Sequence, residues 1–333
     1  MDSVTDFLIF SFLLVLSKGD EEVGWDDKWS YHGLNGPDYW GLMHSEWTRC
    51  HNGKFQSPIN LVSKRLIYDA HLGLFEFDYE DLGELGGNYT NTGRAPVFTP
   101  RPEDAATFTV RGGPLHYEYQ IHDLWIHFGE NENEGSDHLI EGNAFQGEIQ
   151  ITFWNKGLYN SYKEAEVSPR GLAAIAIFLQ KGNKTSDMKS ELAKLTRANV
   201  LSSIVYKGSS VGIPDLNVLK LMPDTTEYIT YEGSLTSPPC YETVTWIVLN
   251  KPIHISEMEL SNIRELRREE EMTTVEVGDT QQAVQTRLLE SNFRGVKPRG
   301  NRAIRTNIGH VQNLDEKCYQ NRIEHTYKAS VLT

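Results

Sequence analysis

The fold turns on Tyr119-Gln-Ile-His-Asp-Leu-Trp-Ile-His-Phe-Gly129. Its β-formers and closing glycine predict a buried strand that runs into a turn. Residues two apart on a strand share a face, so Trp125 and His127 point the same way. A second strand-like run follows at Gly147-Glu-Ile-Gln-Ile-Thr-Phe-Trp-Asn155, and Gly135-Ser-Asp-His-Leu-Ile140 lies between the two. Two more strings stand out. Gln56-Ser-Pro-Ile-Asn-Leu61 reads as a turn entering a strand, and Tyr228-Ile-Thr-Tyr-Glu-Gly-Ser-Leu-Thr-Ser-Pro-Pro239 is the second.

Working outward, Leu72 to Tyr79, Asn88 to Phe98, Phe108 to Val110 and Thr243 to Leu249 also carry strand patterns. Arg170 to Leu179 is a continuous apolar run that periodicity alone leaves open between helix and buried strand. Asp187 to Leu195 has helical spacing, and Ser256-Glu-Met-Glu259 is a capping box opening a helix with Leu260, Ile263 and Leu266 on one face. The 333 residues are 39% hydrophobic and 23% charged, ordinary for a globular chain with a sizeable core. The net charge of −14 argues against nucleic acid as a partner, because phosphates call for a basic surface.

At the N-terminus, Phe7 to Leu16 is apolar but shorter than the ~20 residues a membrane span needs. It suits the core of a secretory signal covering about residues 1–18, although the stretch ahead of the apolar run has Asp2 and Asp6 and no Lys or Arg. No membrane span is expected elsewhere. Asn88-Tyr-Thr90 and Asn183-Lys-Thr185 are glycosylation sequons. The three cysteines, Cys50, Cys240 and Cys318, suggest one bridge and one leftover thiol in a secreted chain.

These motifs resemble the α-carbonic anhydrase family from about Trp25 to Ile308. The resemblance implies a mainly β domain over residues 24–308, built on one large, twisted, mostly antiparallel sheet with short peripheral helices, followed by a polar tail at 309–333. It places Arg170 to Leu179 as a central strand and bridges Cys50 to Cys240, which leaves Cys318 unpaired or joined to another chain. Members hold a catalytic zinc with two His of a His-x-His on the first strand and a third His on the second. Here those positions carry Trp125, His127 and Gln150. Arg94 falls where active members carry a proton-shuttling His, and guanidinium does not release its proton near neutral pH. Asp137 stands for the Glu that orients the gatekeeping Thr, here Thr236. Glu148 stands for a residue supporting a zinc ligand, and His138 for a structural His.

The implied site is therefore one without zinc or catalysis. His127 is expected to be a core histidine bonded to a neighbour such as Gln150, with the bulk of Trp125 filling the space above it. Neither His116 nor His122 is expected to rescue the site, since their odd spacing from His127 puts them on the opposite strand face. Together with the C-terminal extension, this pattern is similar to the secreted, acatalytic carbonic-anhydrase-related branch X and XI, which differs in having Arg at the first ligand position. That branch implies an extracellular binding protein with neuronal surface partners of the neurexin type. The competing reading is an active zinc-dependent dehydratase with a remodelled site.

Overall fold

The computed structural model describes residues 28–182, 190–270, 275–277, 280–282 and 287–309. The leader at 1–18, Asn183 and Cys318 lie outside the described residues, as do the first residues of the run Asp187 to Leu195.

In chain order the strands are β1 (Asn60–Leu61), β2 (Ile67–Tyr68), β3 (Phe75–Asp78), β4 (Glu84–Asn91), β5 (Pro96–Pro100) and β6 (Thr109–Gly112). They continue as β7 (Leu115–Phe128), β8 (Leu139–Ile140), β9 (Gly147–Asn155), β10 (Leu172–Lys181), β11 (Ser210–Asn217) and β12 (Tyr228–Gly233). The last are β13 (Val244–Leu249), β14 (Ile253–Ile255), β15 (Val275–Val277), β16 (Thr280–Gln282) and β17 (Arg305–Thr306).

Thirteen strands form one sheet whose spine runs β11-β4-β5-β7-β9-β10-β13-β12-β17-β2. Strand β6 adds to β7, β3 to β6, and β14 to β10. Parallel pairing in this sheet is confined to β10 with β13 and β14, and β17 with β2. The helices are short. The longest described, Glu257–Arg264, carries the expected capping box, Ser256 and Glu259 each bonding the other's backbone. Among the described residues no helix is long and apolar enough to cross a membrane.

Strand β10 shows why the run from Arg170 is apolar throughout. Ala173, Ile175 and Ile177 enter one core with Ile149, Ile151, Leu124 and Ile126. Ala174, Ala176 and Phe178 enter another with Tyr231, Trp246 and Val248. A strand covered on both faces has no polar side to alternate with. The run from Asn88 to Phe98, by contrast, is two strands. Asn91 Oδ1 accepts from Gly93 N at 2.8 Å, Thr92 N donates to Ala95 O at 3.1 Å, and Gly93 adopts φ +77°, so the chain reverses between β4 and β5.

Strand β7 carries an irregularity that spacing does not show. Ile121 pairs with Phe153 and Asp123 with Thr152, which leaves His122 as an extra residue. Such a bulge inverts the alternation. Leu115, Tyr119 and Ile121 enter the core before it, and Leu124, Ile126 and Phe128 after it. The parity argument that set His116 and His122 apart from His127 therefore fails. His116 is kept away by distance instead, being exposed and about 35 Å along the strand from His127. His122 stacks on Tyr162, ring centres 3.5 Å apart.

The bridge between Cys50 and Cys240 is formed, across a sequence separation of 190. Closing so long a loop contributes at most about 5 kcal/mol through chain entropy. It sits in a small cluster with Trp29, Tyr31, Trp40 and Trp47.

Candidate functional site

The sheet face opposite the larger core carries a cavity of about 160 Å³. Asp123, Trp125 and His127 reach it from β7, and Gln150 and Thr152 from β9. Trp125 and Gln150 are direct register partners, so the two strands present their side chains side by side. Thr236 enters from the loop after β12, and Tyr31 from the N-terminal arm. Two depressions of about 660 and 710 Å³ are larger, but neither includes Trp125, His127 or Gln150.

Gln150 holds the centre of a buried polar network. Its Nε2 donates to Asp137 Oδ2 at 2.8 Å and to Glu148 Oε1 at 3.0 Å. Its Oε1 accepts from the Thr236 hydroxyl at 3.1 Å. Ionised carboxylates only accept and an amide nitrogen only donates, so a flipped amide would set oxygen against oxygen twice. The amide thus stands between Asp137 and Thr236, and its two hydrogens are both used.

His127 is buried, 1% exposed, and is bonded to a partner other than Gln150. Its Nδ1 lies 2.7 Å from the Asn292 carbonyl. A carbonyl only accepts, so Nδ1 carries the hydrogen and Nε2 of the neutral ring offers a lone pair. That Nε2 has no hydrogen-bond partner among the described residues. Trp125 lies nearly parallel to His127, ring centres 6.3 Å apart at 16°, and its indole N–H donates to Asp123 Oδ2 at 2.9 Å. The indole narrows the cavity without filling it.

Around this centre Glu148 and His138 form a buried pair. Glu148 accepts from the His138 backbone and ring, each at 2.8 Å, and His138 Nε2 lies 2.6 Å from the Tyr231 hydroxyl. Burial works to raise the Glu148 carboxyl, but the charge and hydrogen bonds of His138 outweigh it and hold the group below the ordinary carboxylate range. His138 is therefore a satisfied core residue. Arg94, in the β4–β5 turn, does not line the cavity. It lies over the Trp29 ring at 4.4 Å and donates to the Trp29 carbonyl at 3.0 Å.

Two residues of the string Ser291-Asn-Phe-Arg294, which the family resemblance places at the end of the domain, act here, although nothing in that string shows what they reach. Asn292 ties that segment to the end of β7, its Nδ2 donating to Ile126 O at 3.0 Å and its Oδ1 accepting from Phe128 N at 2.7 Å. Arg294 is fully buried and donates to the carbonyls of Ser57 at 2.8 Å and Cys50 at 3.0 Å, while its backbone N–H donates to Asp137 Oδ1 at 2.7 Å. Burial pushes its guanidinium down to about 10. These contacts span separations of 157 to 244 residues, which no local string reveals.

Among the described residues no group of three or more His, Cys, Asp or Glu is placed to hold a metal ion. Asn88 is exposed on β4.

The sheet agrees with what comparison with known proteins finds. The model of the eukaryotic-type carbonic anhydrases matches residues 35–308. The chain is 36% identical over 282 residues to the carbonic anhydrase-like protein 2 of Caenorhabditis elegans, an alignment that covers 84% of this chain and 78% of the relative. With a match over most of its length, and the thirteen-stranded sheet to support it, the chain belongs to the eukaryotic-type carbonic anhydrase family.

Proposed function

We propose that this protein is a secreted, carbonic-anhydrase-related member of the acatalytic branch, without CO2 hydration, that serves as an extracellular binding protein. In this reading Trp125 and Gln150 stand at two of the three zinc-ligand positions and His127 at the other. One observation carries it: the Gln150 amide spends both hydrogens on Asp137 and Glu148 and its oxygen on Thr236. Catalytic zinc takes three protein ligands and a water in tetrahedral geometry. An indole has no lone pair to give, and a neutral amide committed to three neighbours is a weak donor, so one imidazole remains. The donor set does not fit zinc, and Thr236 and Asp137 serve the Gln150 network instead of a bound hydroxide.

Metal analysis of protein purified without chelator tests this directly, together with stopped-flow CO2 hydration. The expected outcome is substoichiometric zinc and a rate at background. Stoichiometric zinc, with hydration that sulfonamide suppresses, would establish the second reading, an active dehydratase. The observation favouring that reading is the unpartnered lone pair of His127 Nε2.

Secretion is supported by the apolar run Phe7 to Leu16 and by the Cys50–Cys240 bridge, which persists in oxidising compartments. Asn88, exposed on β4, and Asn183 are the proposed glycosylation sites. The partner proposed is a cell-surface receptor of neurexin type, held through a mixed disulfide at Cys318. Co-expression with such a receptor should give a complex that survives a non-reducing gel and is lost on Cys318→Ser. A complex unchanged by that substitution would remove the covalent link.

A further inference from the structure

We propose that the cavity beside His127 binds a small organic ammonium ion, one with at least one N–H and short alkyl groups. This rests on the reading above that His127 holds no metal. Three buried polar atoms on the cavity's lining residues have no hydrogen-bond partner among the described residues: the Tyr31 hydroxyl, His127 Nε2 and Asp123 Oδ1. Tyr31 and His127 are 8% and 1% exposed. With Nδ1 giving its hydrogen to Asn292, Nε2 is an acceptor. With Oδ2 taking the Trp125 indole hydrogen, Asp123 keeps Oδ1 as a second acceptor. The Tyr31 hydroxyl can accept as well. Buried acceptors left alone cost free energy, and a donor that enters among them recovers it.

Charge and wall chemistry select which donor. Asp123 and Glu166 are the acidic residues lining the cavity, and neither Lys nor Arg lines it. The Tyr162 phenol registers both carboxylates: burial first, and then Asp123 and Glu166, push it well above its ordinary range. Trp125, Tyr162, Tyr31 and Trp29 supply aromatic walls, whose ring faces attract cations once water is displaced. An anion would meet two carboxylates and the His127 Nε2 lone pair. A volume of about 160 Å³ holds roughly five atoms of water size, taking ~30 Å³ for each. A methylated ammonium of four or five heavy atoms has that size, and the chain's net charge of −14 favours the approach of a cation.

The test titrates trimethylammonium into the mature, disulfide-bonded protein and follows amide and indole NMR resonances, with zinc content measured on the same sample. The Trp125 indole signal should shift saturably. Acetate should produce no saturable shift, and tert-butanol, a neutral molecule of similar shape, should bind at least about tenfold more weakly. Asp123→Asn and Trp125→Leu should each weaken trimethylammonium by at least about tenfold. Zinc-free protein that shows no saturable shift, or that binds tert-butanol equally well, would overturn this inference and leave the zinc-free reading standing. The same holds if affinity is unchanged in both variants. Stoichiometric zinc would remove that reading and the inference with it.

Discussion

Gln150 shows how one side chain can organise a site. Its amide carries two donors and an acceptor into a place where Asp137, Glu148 and Thr236 offer two acceptors and a donor, and each meets its match. Replacing it with leucine keeps the bulk and strips the donors from two buried carboxylates. Leaving buried acceptors without partners costs about 1–3 kcal/mol. Gln150→Leu should therefore lower the unfolding free energy by a comparable amount, read as a lower urea midpoint at an unchanged slope, and no loss would mean that the network contributes nothing. The identities of Trp125, His127 and Gln150 are plain in the sequence. Their partners are not, because a spacing says which face a side chain takes and nothing about what lies across it. His127 is the instructive case. The family resemblance, which puts positions 127 and 150 in one site, suggests Gln150 as its partner, whereas the Asn292 carbonyl, 165 residues away, sets its tautomer.

Among the elements, β9 and β13 are readable nearly to the residue because their apolar runs are bounded by turn chemistry. Strand β7 is readable as a strand but not in its phase. The extra residue at His122 leaves no compositional mark, yet it decides which side chains face the cavity. The same limit applies to β4 and β5, whose separating turn rests on an Asn–Gly pair within a run of β-formers. A local device also governs the small parallel pair of β1 with β8, which leads from the His138 segment. Glu141, next after β8, accepts from the Ser63 backbone N–H at 2.6 Å and from the Ser63 hydroxyl. Those bonds, the hydroxyl's first, hold its carboxyl below the ordinary range. A carboxyl depressed by folding adds stability that is fully present above the unfolded value of about 4.3 and is lost as pH falls through the folded one. Glu141→Gln, which mimics the protonated form, should therefore be less stable than the native protein at pH 7. The gap should close as pH drops from about 5 toward 3. A gap that stays constant across denaturant titrations at those pH values would show that the charge plays no part.

On the scale of the molecule, the site depends on segments far apart in the chain meeting at one sheet. The Cys50–Cys240 bridge draws the N-terminal arm onto the loop that carries Thr236, and Arg294 reaches from the C-terminal segment to the Cys50 and Ser57 carbonyls. None of these contacts uses the side chain at 125 or 150, which makes the proposed assignment of those positions testable by placing imidazoles there. Trp125 and Gln150 are register partners on β7 and β9, and His127 shares the cavity face with Trp125, so three imidazoles placed there would converge on one point. Ring nitrogens turned away from a metal need acceptors that hold their tautomer. The Asn292 carbonyl already does this for His127, and Asp137 and Glu148, freed from the amide, are available to the residue at 150. Trp125→His combined with Gln150→His should thus retain about one zinc per chain through gel filtration, and zinc should raise its thermal midpoint where magnesium does not. Each single variant, with two imidazoles, should hold zinc far more weakly. A folded double variant that binds no zinc would mean that these three positions are not the ones the family uses for its metal, and the case for a lost catalytic centre would fall with them.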